Sequence, residues 1–382
     1  MRILHTSDWH LGRIFHGIHL TEDQAYILEQ FIEVIKDTKP DVILISGDVF
    51  DRSVPPTEAV NLLDEVISRI LMDHDIPIMM IAGNHDSPDR LGFGYRLMQN
   101  RGLYIFGKLT PALKPITLED KYGSVSFYGV PYVEPAIVRE RFGDETIHAH
   151  DTAMMKLTNY IKSNMNQGSR NVLIAHAFVA GGEESESERP LSVGGSGVVN
   201  AAYFKEFDYV ALGHLHRGQK ISAEHIRYSG SLMKYSFAEA DHKKGVVLID
   251  MDAQGSTSIE YIRLRPRREL RCIEGYLEDI LKGPQLEGHK EDYLCVTLKD
   301  EGAILDAIGK LRKVYPNVLH IERPQLTSNL KIVGPDRDFK KMDTIDLFSS
   351  FFQQVTTRDL SNEQKKILQG IFDQYYKNMR EE

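Results

Sequence analysis

The chain of 382 residues has room for two or three domains, and 42% hydrophobic with 26% charged residues is an ordinary globular composition. A net charge of −9 argues against autonomous, non-specific DNA binding, so any polyanion site has to be a local basic patch or be completed by a partner. No apolar run approaches the ~20 residues that cross a bilayer, and Asp8 and His10 interrupt any signal-peptide core, so cytoplasmic residence without membrane attachment is expected.

Residues 3–4 start a short strand that runs into His5-Thr6-Ser7-Asp8-Trp9-His10. Thr21-Glu22-Asp23-Gln24 has the form of a capping box, and Ala25, Leu28, Ile32 and Ile35 then repeat at helical spacing until Pro40 blocks continuation. Residues 42–45 are a continuous β-branched and apolar run, the composition of a strand buried on both faces, and they end in Ser46-Gly47-Asp48. A second helix follows Pro55-Pro56 with Thr57 as its cap, burying Ala59, Leu62, Leu63, Val66 and Ile70. Residues 78–82 lead into Gly83-Asn84-His85-Asp86. This alternation predicts a right-handed βαβ series with a parallel sheet.

Shorter strands are expected over 103–106 and 124–128, and an amphipathic segment over 152–165; His148 and His150 just before it read as solvated. Residues 172–175 end in His176, and residues 209–212 end in Gly213-His214-Leu215-His216. Between them, residues 179–200 are rich in Gly, Ser and Glu without periodicity. Such a loop is either disordered or functional and could border a site, although its acidic half would repel a phosphate chain. Residues 245–251 and 258–264 read as closing strands of a second sheet packed on the first. Arg263, Arg265, Arg267 and Arg268 around Pro266 mark a domain boundary, equally a solvated connector or a nucleic-acid contact.

A small α+β unit follows, with strands over 270–273, 293–298 and 318–321 and a helix over 303–314. Cys272 and Cys295 stand singly in apolar stretches, as buried thiols do. Beyond an extended polar tether come two helices. Leu347, Phe348, Phe351 and Phe352 face one way on the first; Ser361-Asn362-Glu363-Gln364 caps the second, which shows Ile367, Leu368, Ile371 and Phe372. Two greasy helices on a tether suit the groove of a partner better than the chain's own body.

Five strand-like runs thus end in Asp, Asn or His, at the sheet edge where open α/β folds bind ligands. Carboxylate, amide and imidazole groups without thiolate favour manganese, iron or zinc. Asp8, His10, Asp48, Asn84, His176, His214 and His216 are too many ligands for one octahedral ion with an open position. They suit two ions roughly 3.5–4 Å apart sharing a carboxylate, an arrangement fitted to phosphate esters. His85 lies beside Asn84 but outside the ligand count, in place to stabilise a transition state or protonate a leaving alkoxide.

Asp8-Trp9-His10, Gly47-Asp48-Val49-Phe50-Asp51, Gly83-Asn84-His85-Asp86, His176 and Gly213-His214-Leu215-His216 together resemble the motif series of the calcineurin-like metallophosphoesterases. TSDWHLG, GDVFD and GNHDS more narrowly resemble the bacterial members of the DNA double-strand-break repair nuclease family. The resemblance implies a four-layer αββα sandwich over 1–265, an α+β capping domain over 266–328, and a linker with partner-binding helices over 329–382. It implies one metal on Asp8, His10, Asp48 and His216 and another on Asp48, Asn84, His176 and His214. The ions would be manganese, with magnesium, iron or zinc as alternatives. It points to Asp51 as the carboxylate that orients His85, with Asp86 as second candidate. It also implies a homodimer through the N-terminal domain and an SbcC-type ATPase partner bound by the C-terminal helices. No Walker motif is found, so ATP dependence would come from that partner. Arg13, Arg52 and Arg90, beside the motifs, are expected DNA contacts. The expected function is a two-metal DNA nuclease with exonuclease and endonuclease action. A small-nucleotide phosphoesterase is the alternative within enzymes, and a metal-free interaction scaffold is the alternative outside them.

Overall fold

The computed structural model describes all residues except 111, 189–190, 192–196, 285–288, 303, 325–344, 347, 350–351, 354–357 and 382, and leaves out the side chains of 373–381. It divides into two units, Met1–Glu269 and Leu270–Glu382.

The first unit is built on two six-stranded sheets. In one, Arg2–Thr6, Val42–Ile45, Ile78–Ile81 and Leu103–Phe106 run parallel in that order. Val42–Ile45 and Ile78–Ile81 are buried at every position, as strands covered on both faces must be. Alternate side chains meet the second sheet: Ile3, Val42, Leu44, Met79 and Ile81 pack with Val125, Phe127, Val172, Ile174 and Ala211. The helices Thr21–Thr38 and Thr57–Asp73 bury Ile27, Phe31, Ile35, Ala59, Val66 and Ile70 and supply the outer layer. On the far side, Met154, Leu157 and Ile161 of the helix His150–Ser163 pack with Leu173, Val210 and Leu212. The result is the αββα sandwich.

Several local expectations change. Gly245–Met251 and Thr257–Arg263 do not form a second sheet; they extend the first, with Gly245–Met251 antiparallel to Arg2–Thr6. A hairpin returning from a turn at 252–256 protects an otherwise bare strand edge. The second sheet comes instead from the middle of the chain, in the order Gln219–Ile221, Ala223–Tyr228, Tyr209–Gly213, Arg170–His176, Gly123–Val130, Ile116–Asp120. The Thr21–Gln24 capping box does not form: Leu20 precedes the helix, and Gln24 turns inward to bond Gly12 N and the carbonyls of Trp9 and His10. Pro56, not Thr57, precedes the second helix. His150 is half-buried, bonded to the Leu191 carbonyl at 3.1 Å and stacked on Tyr132, so only His148 is solvated. In the arginine run, Arg268 pairs with the buried Asp23 at 2.9 Å, which favours the connector reading at that position.

One ion pair between strands gives a stability test. Arg170 and Asp120 meet with side chains 6% and 12% exposed. The hydrogen bond from Arg170, against burial and with help from the N-terminal amine, holds the Asp120 carboxyl well below its ordinary 3.8. A depressed carboxylate contributes fully above that ordinary value, and the contribution disappears as pH falls through the lowered one. Asp120→Asn should therefore cost about 2–3 kcal/mol at neutral pH, the low end because Arg170 keeps its bonds to the Gly123 and Asp252 carbonyls. Urea melts at pH 7 and pH 3 check this. The variant should lose stability at the first pH, and its gap to the wild type should begin to narrow at the second, which lies below the ordinary carboxylate value but above the lowered one.

The second unit holds a parallel sheet of Leu270–Gly275, Tyr293–Leu298 and Val318–Glu322 over a core of Leu294, Val296, Leu298 and Leu311. Its helix is shorter than expected, Ala307–Arg312, because Asp306 takes a left-handed φ of 49° and caps Gly309 N. Cys295 is buried, but Cys272 beside it is exposed. The capping box at Ser361 and Gln364 forms, with bonds of 2.9 and 3.2 Å starting the helix Asn362–Glu381. Ile367 and Ile371 are 66% and 61% exposed there, Leu368 and Phe372 half-buried; Phe348 is exposed and Phe352 half-buried. Leu347 and Phe351 lie outside the described residues. Among the described residues no helix is long and apolar enough to cross a membrane.

Candidate metal centre

The motif loops leave their strands with strained backbones. Asp8, His10, Asp48 and His214 have φ of 53°, 45°, 49° and 110°, in the left-handed region that costs a side-chain-bearing residue about 1–2 kcal/mol. Neighbouring loops hold them there. Asp8 N–H donates to the Gly47 carbonyl and His10 N–H to the Asp48 carbonyl, both at 3.0 Å, while the Asp86 carboxylate accepts from Val49, Phe50 and Gly83 N–H. At Gly83 a Cβ would lie 2.1 Å from Asp48 Oδ1, so only glycine lets these loops close.

All seven expected ligands converge. Donor atoms of Asp8, His10 and His216 lie within 4.8 Å of one another, and so do those of Asp48, His176 and His214. Asp48 Oδ2 stands between the groups, 3.8 Å from His10 Nε2 and 3.5 Å from His176 Nε2. Asn84 Oδ1 completes the second group, 2.9 Å from His176 Nε2 and 3.3 Å from His214 Nδ1. Across the first, His10 Nε2 faces His216 Nε2 at 3.0 Å. Asp8, His10, Asp48, His176, His214 and His216 are buried.

The electrostatics suit cations. Burial pushes Asp8 up to about 6 and holds His10 and His214 well below 6.5. Burial opposes charge on Asp48 as well, but the charge and hydrogen bond of His176 outweigh it and keep Asp48 low; reciprocally, His176 rises to about 9 against its own burial. Without a cation, a proton on His176 therefore compensates Asp48. The donor set of carboxylates, imidazoles and an amide, converging without a thiolate, fits divalent ions.

His85 is fixed differently from expectation. Its Nδ1 bonds the main-chain carbonyl of Asp51 at 2.7 Å, not a carboxylate, and its N–H donates to Asp48 Oδ1 at 2.9 Å. The Asp51 carboxylate points to Arg13 at 2.8 Å and lies 3.8 Å from His10 Nδ1. Asp86, the second candidate, ties loops together. Arg13 is thus committed to Asp51, whereas Arg52 and Arg90 are exposed.

Sequence reading missed the residues around His216. Its Nδ1 lies 2.6 Å from Ser187 Oγ and 3.3 Å from Glu239 Oε1. Its N–H donates to Glu188 Oε1 at 2.8 Å, and Lys244 Nζ donates to its carbonyl at 2.7 Å. Tyr235 packs on the rings of His10 and His216 and donates to the Trp9 carbonyl. The described part of loop 179–200 therefore borders the site.

Residues 1–218, which contain all seven ligands, match the model of the family described as Calcineurin-like phosphoesterase. The chain belongs to that family. Residues 266–356 match a second model, the Type 5 capsule protein repressor C-terminal domain. Along its length this phosphoesterase is similar to the D-type subunit of nuclease SbcCD from Staphylococcus saprophyticus subsp. saprophyticus, 37% identical over 371 residues that cover 97% of each chain. The protein TT1561 of Thermus thermophilus overlays 68% of this chain and 98% of its own at 14% identity and a TM-score of 0.36, too loosely to carry an argument. As a calcineurin-like phosphoesterase the chain is a hydrolase of phosphate esters with a divalent-metal centre.

Proposed function

We propose that this phosphoesterase is a manganese-dependent DNA nuclease, exonucleolytic on duplex ends and endonucleolytic on single strands, acting as the D-type subunit beside an SbcC-type ATPase. The observation that carries the reading is Asp48 Oδ2 between two buried donor groups. Asp8, His10, Asp48 and His216 would hold one ion; Asp48, Asn84, His176 and His214 the other. When bound, such a pair polarises phosphoryl oxygens and lowers the pKa of water to supply a nucleophile near neutral pH. His85 contributes the proton chemistry. A carbonyl only accepts, so Nδ1 keeps its proton on Asp51 O, and Nε2 is the atom that exchanges a proton with the leaving alkoxide.

The division into 1–265, 266–328 and 329–382, cytoplasmic residence and dimerisation through the N-terminal domain belong to the same proposal. Exposed Met72, Phe93 and Leu97 in the first unit support pairing of two copies. Exposed Ile367 and Ile371 support capture of the last helix by a partner. Deleting residues 343–382 should abolish pull-down of the ATPase while cleavage of single-stranded DNA persists. Retained pull-down would remove the C-terminal helices from the interface.

The reading is tested by incubating the purified chain with manganese and either linear duplex DNA or a small phosphodiester. Shortening of the duplex is expected. Hydrolysis of the small ester alone would assign the enzyme to small nucleotides.

A further inference from the structure

His216 is gripped from three sides by groups outside the seven ligands. Glu188 takes its main-chain N–H, Lys244 donates to its carbonyl, and Ser187 and Glu239 share its Nδ1. Glu239 is fully buried, and its carboxylate contacts both Ser187 Oγ and the buried ammonium of Lys244, which also bonds Ser231 Oγ at 2.8 Å.

The polarity of this chain follows from its donors. Paired with Lys244, Glu239 is an ionised carboxylate and only accepts. Ser187 Oγ also lies 2.8 Å from Ser185 Oγ, but Glu239 stands closer and has no proton of its own to share, so the single Ser187 hydroxyl proton goes to Glu239 and Ser187 Oγ can only accept from His216. His216 consequently carries its proton on Nδ1, and the Nε2 lone pair is left facing His10 Nε2 at 3.0 Å, inside the first donor group. A proton on Nε2 would point an N–H at the ion's place.

Ser187 reaches this position because the segment around it is stitched to the residues that flank His216. Glu183 pairs with Arg217 and donates its N–H to Gln219 Oε1 at 2.9 Å. Glu188 Oε2 accepts from Ser185 N–H at 2.6 Å and Ser185 Oγ at 2.7 Å, leaving Oε1 for His216.

We propose that residues 183–188 are a positioning strap for the first metal: Ser187 relays Glu239 to His216 and locks its tautomer, while Glu188 holds its backbone. This deepens the metal-centre reading by naming what sets the affinity of one of its two sites. Partners of metal-bound histidines typically set affinity within about 10–100-fold.

The test uses the full chain and manganese titrated calorimetrically. In Ser187→Ala and Glu188→Ala, one of the two affinities should fall by about 10–100-fold with the other unchanged. Ser187→Thr, which keeps the hydroxyl, should restore it. Thermal melts of the metal-free variants should show a folded chain with a cooperative transition, lowered by no more than the loss of one buried hydrogen bond. Nitrogen NMR of the histidine-labelled, metal-free chain should show His216 protonated at Nδ1. Unchanged affinities, equal weakening of both sites, a Thr variant as weak as the Ala variant, a His216 that carries its proton on Nε2 with Nδ1 bare, or a wild type that takes up no manganese would each overturn the proposal. DNA cleavage is not measured, so a chain that binds two ions and cuts no DNA sinks the nuclease reading alone.

Discussion

Asp48→Ala is expected to strip the centre of both cations at once. Asp48 Oδ2 is the one carboxylate oxygen within 4 Å of a histidine nitrogen from each donor group among the described residues, so its removal takes a ligand from both. It also leaves His176 without the partner that holds it protonated against burial, and removes the acceptor of His85 N–H. Losing several kcal/mol of electrostatic stabilisation corresponds to a fall of about 10³-fold or more in hydrolysis. Elemental analysis after dialysis in manganese should find less than one ion per chain. Two ions at full occupancy would contradict the shared role of Asp48.

His85→Ala should separate binding from chemistry. His85 is held by the Asp51 carbonyl and Asp48 Oδ1, and its ring lies 4.7 Å from the His10 ring, close to the centre but outside the seven ligands. Its loss should lower hydrolysis by about 10²–10⁴-fold, the usual weight of a positioned proton donor. Both ions should remain at wild-type occupancy. A variant that loses metal makes His85 a ligand; one that keeps its rate makes it a bystander.

How much of this was legible before the structure depends on what each residue answers to. Strand ends were legible because burial on both faces demands a purely apolar run, and the polar residue that ends Val42–Ile45 or Ile78–Ile81 has to leave the sheet at its carboxyl edge. The ligand set followed from those endings. Side-chain partners were not legible where the backbone could serve instead. His85 needs any acceptor, and the Asp51 carbonyl reaches it while the Asp51 carboxylate answers Arg13. Gln24 has the right spacing for a cap, yet the carbonyls of Trp9 and His10 hold its amide. Glu239, Lys244 and Ser187 carried no periodic signal. They lie in turns or near strand ends, and only the closing of the two sheets brings them to His216. Sheet membership failed for Gly245–Met251 for a related reason: a buried apolar run announces a covered strand but not which edge it will pair with.

Anomalous diffraction from crystals grown in manganese tests the central claim most directly. Two peaks roughly 3.5–4 Å apart should flank the Asp48 carboxylate, one among Asp8, His10 and His216 and one among Asn84, His176 and His214. A single peak, or manganese bound elsewhere with these side chains empty, would contradict it.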